Sequence, residues 1–299
     1  MYLITSATGH IGNIVAGDLL SKGKKVRVVS RHGDKMKDFV TSGADALIGD
    51  LSNPRFVNKA FEGISAAFCM VPINTLTKTM RKDRQKIARN YVDAVKKNGI
   101  KHVILLSSVG AHLREGGGAI DGLADLEAYF SELKDINILT LRPGYFMENL
   151  YYELDSIKSS GIIGSTLKGD LNFPIVATKD IAAIVEKRLL SLDFKGHSIE
   201  YILGPKDLNY NDITRILGKA INRPELKYVR LSKNDYKNGM VQSGFVSENV
   251  ADAFIQMEEA FISGGALSAH TRTRENSTPT TFEEFVKDFA YVYQHQKAA

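Results

Sequence analysis

The chain has 299 residues, of which 43% are hydrophobic and 24% charged, with a net charge of +5. That is ordinary globular usage, long enough for one large α/β domain with a smaller lobe and a sizeable core, and it excludes a low-complexity or disordered chain. No dense Lys/Arg block appears, and the clusters at Lys22–Lys25 and Arg81–Arg89 read as solvated helix faces and turns, so a nucleic-acid partner is not expected.

The chain is organised around its first twelve residues. A short apolar and β-branched run, Leu3-Ile4-Thr5, stops at the small-residue loop Ser6-Ala-Thr-Gly9-His10-Ile11-Gly12, and a helix then opens at Ile11 with apolar residues at Ile14, Val15, Leu19 and Leu20. Strand, tight turn and helix aim unpaired backbone N–H groups and a positive dipole end at the loop, where a pyrophosphate fits if glycines keep Cβ atoms out of its path. The spacing is S-x-x-G-x-x-G, with Ser6 where a first glycine is usual.

Strand and helix signals then alternate. Lys25–Ser30 reads as the second strand, followed by Arg31-His-Gly-Asp-Lys35 and a short helix. Ala46–Ile48 is a third strand ending in Gly49-Asp50-Leu51, and Asn53-Pro54 opens a helix through Phe61. Ala66–Val71 is a buried-type strand stopped by Pro72, with its Cys69 read as a small core residue. A long helix runs to Asn98, where Gly99 is the expected C-cap. His102–Ser107 and Ile136–Leu141 complete six strands, and the rhythm predicts a Rossmann-type, doubly wound parallel sheet in the α/β class.

After Leu141 the rhythm changes. Arg142–Asn149 is a loop of turn residues and bulky side chains just past a strand's carboxyl end. Residues 178–192 and 210–221 read as helices, Ser198–Leu203 and Leu226–Leu231 as strands, Gly264–Pro279 as a polar loop and Phe282–Tyr293 as a closing helix. The expected division is a nucleotide-binding domain over 1–144, joined by a helix and strand from 178–204, and a smaller α/β substrate lobe from 145–177 and 205–299. A substrate cleft is expected between them. With one cysteine, a first strand at residue 2 and no apolar run of membrane length, the protein is expected to be cytoplasmic, without signal peptide, disulfide or membrane partner.

The ordered set Thr5–Gly12, Val29-Ser-Arg31 with Lys35, Gly49-Asp50, His102–Gly110, Leu141–Asn149 and Val176–Asp180 resembles the atypical short-chain dehydrogenase/reductases, in particular their NmrA-like branch. The resemblance implies NAD(P) binding. It also implies either NADPH-dependent reduction of a small aromatic or quinone-like compound, or a regulatory role in which bound cofactor controls a protein partner. A nucleotide-sugar epimerase-like isomerase is a further alternative. No metal site is expected.

The cofactor-binding residues are expected to be Ser6, Thr8, Gly9, His10, Ile11, Gly12, Arg31, Lys35, Asp50, Leu51, Met70, Val71 and Pro72. An NAD-preferring domain places a carboxylate at the end of the second strand, but here that place holds Ser30-Arg31, with no acid until Asp34. A guanidinium suits a 2′-phosphate and Lys35 adds charge, so NADP(H) is expected over NAD(H). Asp50 either lies near the adenine or caps the helix that starts near Asn53.

Most short-chain reductases carry Tyr-x-x-x-Lys on a helix, which sets both groups on one face as acid and pKa-lowering partner. The only match here is Tyr293/Lys297 in the terminal tail, read as chance. Tyr129 lies on about the right helix, yet Leu133 takes the lysine position and Lys134 is one residue out of register. The catalytic candidates are therefore Ser108, His112 and Tyr129. Ser108, His112, Tyr145, Phe146 and Asn149, with Met70 and Pro72, are expected to line the substrate cleft. For each the bland role stays open: Ser108 bonding local backbone, His112 merely solvated, Tyr145 and Phe146 burying the lobe junction.

Overall fold

The computed structural model describes residues 1–295, so Lys297 of the Tyr293/Lys297 pair lies outside the described residues. In chain order the strands are β1 (Tyr2–Ile4), β2 (Val26–Ser30), β3 (Asp45–Ile48), β4 (Ala66–Cys69), β5 (His102–Leu106), β6 (Asn137–Pro143), β7 (Tyr145–Phe146), β8 (Ile162–Ser165), β9 (Phe173–Val176), β10 (His197–Ile202), β11 (Asp207–Leu208) and β12 (Lys227–Arg230). The helices are α1 (His10–Ser21), α2 (Lys37–Thr41), α3 (Pro54–Phe61), α4 (Met80–Asn98), α5 (Asp121–Ser131), α6 (Leu154–Ser160), α7 (Thr178–Ser191), α8 (Tyr210–Ala220), α9 (Lys233–Gln242), α10 (Glu248–Ile262) and α11 (Phe282–His295).

A seven-stranded sheet runs in the order β10-β6-β5-β4-β1-β2-β3. Every pairing in it is parallel, from Tyr2 against Val26 and Ala66 out to His197 against Ile138 at the far edge. The chain winds outward through β2 and β3, returns across β1 and winds the other way from β4, so strand order reverses between β1 and β4. Apolar residues cover both faces. Val57, Phe61, Tyr91, Leu126 and Phe130 pack one side through α3, α4 and α5. Ile11, Val15, Leu19, Ile181, Val185 and Leu189 pack the other through α1 and α7.

Helix ends follow the local chemistry. Asn53 caps α3, accepting from the Arg55 and Phe56 amides with Pro54 in the first turn, which leaves Asp50 no capping role. Asp50 instead accepts from the Ser52 amide at 2.7 Å. Gly99 ends α4 at φ 65°, a left-handed conformation that favours glycine.

The remaining elements form two small sheets, β11-β9-β7 and β12-β8, around a separate apolar cluster that includes Leu150, Phe173, Ile213, Leu217, Phe285 and Phe289. Residues of two of the sequence motifs bind this region together. Glu148 receives the Thr178 amide at the start of α7 at 3.0 Å, and Asp180 receives the Thr280 amide and hydroxyl at 3.0 and 2.7 Å. No helix among the described residues is long and apolar enough to cross a membrane.

Candidate functional site

Open parallel sheets bind ligands beyond the strands' carboxyl ends, where strand order reverses. A cleft of about 240 Å³ lies there, walled by Ser6, Thr8 and Gly9 after β1, Ser30–His32 after β2, Gly49–Leu51 after β3, Pro72–Asn74 after β4, and the α4 residues Met80, Asp83, Arg84 and Ile87. Thr5 couples the two central strand ends: its hydroxyl oxygen accepts the Met70 amide at 2.8 Å and lies 3.2 Å from the Phe68 carbonyl.

The residues fit a dinucleotide. α1 begins without a side-chain cap and without an acid in its first turn, so its positive end is unmet. A Cβ built on Gly9 would meet only the Ser6 carbonyl, at 3.4 Å, and the rest of its surroundings is open to the cleft. Gly12 differs: its Cβ would lie 2.6 Å from the Ser6 carbonyl oxygen and 2.9 Å from Ala7 Cα, so the chain itself requires that glycine. Ser6 takes φ 53° in the place of the usual first glycine. At the end of β2 the Thr8 and Ser30 hydroxyls are 3.2 Å apart, and the Ser30 hydroxyl oxygen also accepts the His32 amide at 3.1 Å. Arg31 beside them is exposed and engaged in no ion pair or hydrogen bond among the described residues.

The structure therefore brings Ser6, Thr8, Gly9, Arg31, Asp50, Leu51 and Pro72 together in one cleft. His10 is exposed on the first turn of α1, whereas Ile11 is a core residue at 2% exposure. Val71 is buried, the Met70 carbonyl accepts the Tyr91 hydroxyl at 2.7 Å, and Lys35, exposed on the turn Asp34–Met36, is not among the residues that wall the cleft.

Of the expected substrate residues Pro72 walls this cavity, whereas Ser108, His112, Tyr145, Phe146 and Asn149 lie outside it. Ser108 donates to the neighbouring Val109 carbonyl at 2.8 Å. His112 is not a solvated loop histidine: its Nε2 lies 3.1 Å from the Gly265 carbonyl and 3.2 Å from Ser268 Oγ, and its Nδ1 is buried without a partner. The Tyr145 ring packs edge-on against Phe173 at 5.6 Å, its hydroxyl accepts from Tyr210 at 3.5 Å with Asn149 beside it, and burial pushes its pKa up. Phe146 packs against the α1/α7 side of the main core. Tyr129 sits on the α4–α5 face, where its hydroxyl accepts from Arg89 at 3.2 Å and the Arg89 guanidinium lies 4.9 Å from its ring centre. Tyr129 is not among the residues that wall the cleft: partly buried, it packs with Leu126 and Phe130 against the apolar cluster on the α3–α5 side of the sheet.

Two features escape a reading of the sequence alone. Beyond β5 and β6, buried Ser107 donates to Glu127, whose carboxylate also takes two Arg142 N–H groups at 2.9 and 2.5 Å, and Arg142 reaches the Tyr201 hydroxyl at 2.9 Å. The sequence pattern ends this strand at Leu141 and puts Arg142 in the following loop, whereas β6 runs on to Pro143 and buries Arg142. The second is Arg84: the cluster Arg81–Arg89 is not simply a solvated face, for Arg84 is 5% exposed on the inward stripe with Met80, Ile87, Ala88 and Tyr91.

The NmrA-like family model matches residues 2–286. The chain belongs to the NmrA-like family. Among the relatives of this NmrA-like chain is an NAD(P)H azoreductase of Xenophilus azovorans, 24% identical over 263 residues and covering 86% of each protein. In fold it is similar to an NADPH-dependent quinone oxidoreductase of Escherichia coli complexed with NADPH, with a TM-score of 0.79, 19% identity and coverage of 97% of this chain and 99% of that one. A Citrobacter triphenylmethane reductase complexed with NADP(H) gives a TM-score of 0.79 at 19% identity, over 96% of this chain and 99% of the other.

Proposed function

We propose that this protein is an NADPH-dependent oxidoreductase that reduces a small aromatic or quinone-like acceptor. The observation that carries the cofactor choice is Arg31, an unengaged guanidinium beside the Ser30 and Thr8 hydroxyls, at the strand end where an NAD-binding domain keeps a carboxylate. The azoreductase, the quinone oxidoreductase and the triphenylmethane reductase support the reaction class, since each is named for reducing a conjugated compound.

In this reading Gly9 and the open end of α1 hold the pyrophosphate, Arg31 holds the 2′-phosphate, and Asp50, Leu51 and Pro72 flank the adenosine. When bound, the reduced nicotinamide supplies the hydride. Ser108, His112, Tyr145, Phe146 and Asn149 are assigned to the acceptor side. Glu127 is held by two N–H groups of Arg142 and fixes the Ser107 hydroxyl, so its carboxylate orients a polar group rather than standing free as an acid. A quinone suits such a site, because a positioned acid normally supplies about 10²–10⁴ in rate and an acceptor that yields a stable anion needs little of that help.

The test is calorimetry of both cofactors on wild type and Arg31→Ala, followed by a turnover screen of quinones, azo dyes and triphenylmethane dyes. Hydrogen bonds to charged groups contribute about 1.5–3 kcal/mol, so NADPH should weaken roughly 10- to 150-fold while NADH barely changes. Equal losses for both cofactors would overturn the role of Arg31. Tight NADPH binding without turnover across the panel would move the reading to a cofactor sensor with a protein partner.

A further inference from the structure

Helix α4 carries two arginines in one turn whose surroundings are opposite. Arg81 is met by Asp125 at 2.7 Å and Asp121 at 3.7 Å. Arg84 is buried, and no carboxylate lies within ion-pair distance of it among the described residues. Its Nη1 donates to the Ala119 carbonyl, and its Nε is buried without a partner. The nearby acids are otherwise engaged. Asp83, also on the cleft wall, takes the Thr77 and Thr79 hydroxyls, Asp125 takes Gln85 as well as Arg81, and Asp121 takes the Gly117 amide at 2.7 Å.

The position of Arg84 is built into the packing. On the facing helix α5 a Cβ at Gly122 would lie 2.7 Å from Arg84 Cδ and 2.9 Å from Arg84 Cβ, so a glycine clears the path of the arginine stem. Burial pushes the guanidinium pKa down to about 10, which still leaves it charged near neutrality. A buried, unpaired cation is costly, and the cost falls when an anion enters beside it. The same cleft is also lined by Gly9 at the uncapped end of α1.

We propose that Arg84 is the anion-binding side chain of this cleft, taking an oxyanion of the molecule that fills it: a phosphate of the dinucleotide or an acidic group of the acceptor. The two sources share one chemistry, a planar fork of N–H donors against paired oxygens. The inference rests on the cleft being the dinucleotide site of the proposed function. It also separates from that reading, since inorganic pyrophosphate reports on the anion site whether or not NADPH is the ligand.

The experiment uses the full chain, with Arg84→Met, which keeps the stem and removes the charge, and Arg84→Gln should the first variant fail to fold. Thermal unfolding of the ligand-free protein is measured first, then binding of inorganic pyrophosphate and NADPH by calorimetry. Last comes KM for a carboxylated azo dye against its methyl ester. The variant is expected to unfold at the same or a higher temperature and to lose tenfold or more in affinity for pyrophosphate and NADPH. An unchanged cofactor affinity with a tenfold rise in KM confined to the carboxylated dye would equally support the proposal, with the acceptor as the source of the anion. Wild type that binds pyrophosphate through Arg84 but not NADPH would remove the cofactor reading and leave this one standing. A folded variant with pyrophosphate, NADPH and both dyes all unchanged would overturn it, reducing Arg84 to a tie between α4 and the Ala119 carbonyl.

Discussion

The strand-end cleft and the buried Glu258 beside β8 treat charge in opposite ways. Around the cleft, among the described residues, the charges are left over: Arg31 is unengaged, Arg84 has no counter-ion and α1 starts without a side-chain cap. The buried Glu258 of α10 is instead met by the Ser165 hydroxyl at 3.0 Å, the Thr166 amide at 2.9 Å, the Thr166 hydroxyl and Tyr236 of α9. An engaged buried group fastens elements, here α10 to the end of β8, whereas an unengaged one beside a cavity marks where something else binds. Four measurements can break or sharpen that contrast.

The largest effect belongs to the fastened region. Glu258→Ala strips partners from the Ser165 and Thr166 hydroxyls and the Thr166 amide, in residues only 2% and 4% exposed. At about 1–3 kcal/mol per stranded group, chemical denaturation should show a loss of roughly 3–5 kcal/mol. NADPH affinity of the folded protein should stay the same. A stable variant with weakened cofactor would show that the two regions are one site.

Glu153, near Glu258 at the start of α6, sharpens the same point through pH. Burial, with the neighbouring Glu258 charge, raises its carboxyl to about 7 against the Gly164 amide, which lowers it, and Tyr145, Tyr228 and Tyr236 share its surroundings. The folded state then holds a proton that the unfolded chain releases near 4.5. Stability from this group is full below about 4.5 and is lost as pH rises through about 7. Replacing it, Glu153→Gln should flatten the stability profile across that window and leave the variant more stable at pH 8, by up to roughly 3 kcal/mol. An unchanged profile would mean that Glu153 is solvated.

How much of this was legible depends on the range of the interactions. The alternation up to β6 and the return of 198–203 to the main sheet could be read because each element carries its own periodicity and caps. The short strands β7, β9 and β11 could not: two or four residues long, they exist through partners far off in sequence, such as Asp207 beside Pro174. Helix α9 buries no residue, so it had no stripe to read. Helix α10 did have a signal, with Ser247 as its cap and buried Val250, Ala251 and Ile255. At the cleft, the turn from Gly9 to Gly12 was legible because its two glycines stand three residues apart between a strand and a helix. Arg84 was not, since its isolation depends on which partners Asp83, Asp121 and Asp125 find. The surroundings of His112 depend on its contact with Gly265, which no local pattern announces.

A smaller effect, of about 30-fold in affinity or ~2 kcal/mol, separates the two loop glycines. Gly9→Val should fold normally and lose NADPH, because its side chain would enter the cleft rather than the protein. Gly12→Ala should instead lower the unfolding temperature, since backbone atoms of Ser6 and Ala7 occupy the space its Cβ needs. Circular dichroism melts and calorimetry on both variants decide it. A melting loss in the first and none in the second would reverse the assignment.

The smallest effect concerns Ser6, which holds φ 53° at the mouth of the cleft without a side-chain hydrogen bond among the described residues to hold it there. A left-handed conformation costs a residue with a Cβ about 1–2 kcal/mol, and glycine escapes that cost. Glycine also gives the unfolded chain more freedom, which offsets part of the gain, so Ser6→Gly should stabilise the protein by only about 0.5–1 kcal/mol. The sign matters more than the size. If Ser6 only completes a turn, the variant gains stability and binds NADPH as before. If its hydroxyl meets a phosphate oxygen, the variant gains the same stability but binds NADPH several-fold less tightly, and the strained serine joins Arg31 and Arg84 among the groups that the cleft leaves open. Destabilisation by Ser6→Gly would show that the local backbone is held by the serine itself and would remove it from the contrast.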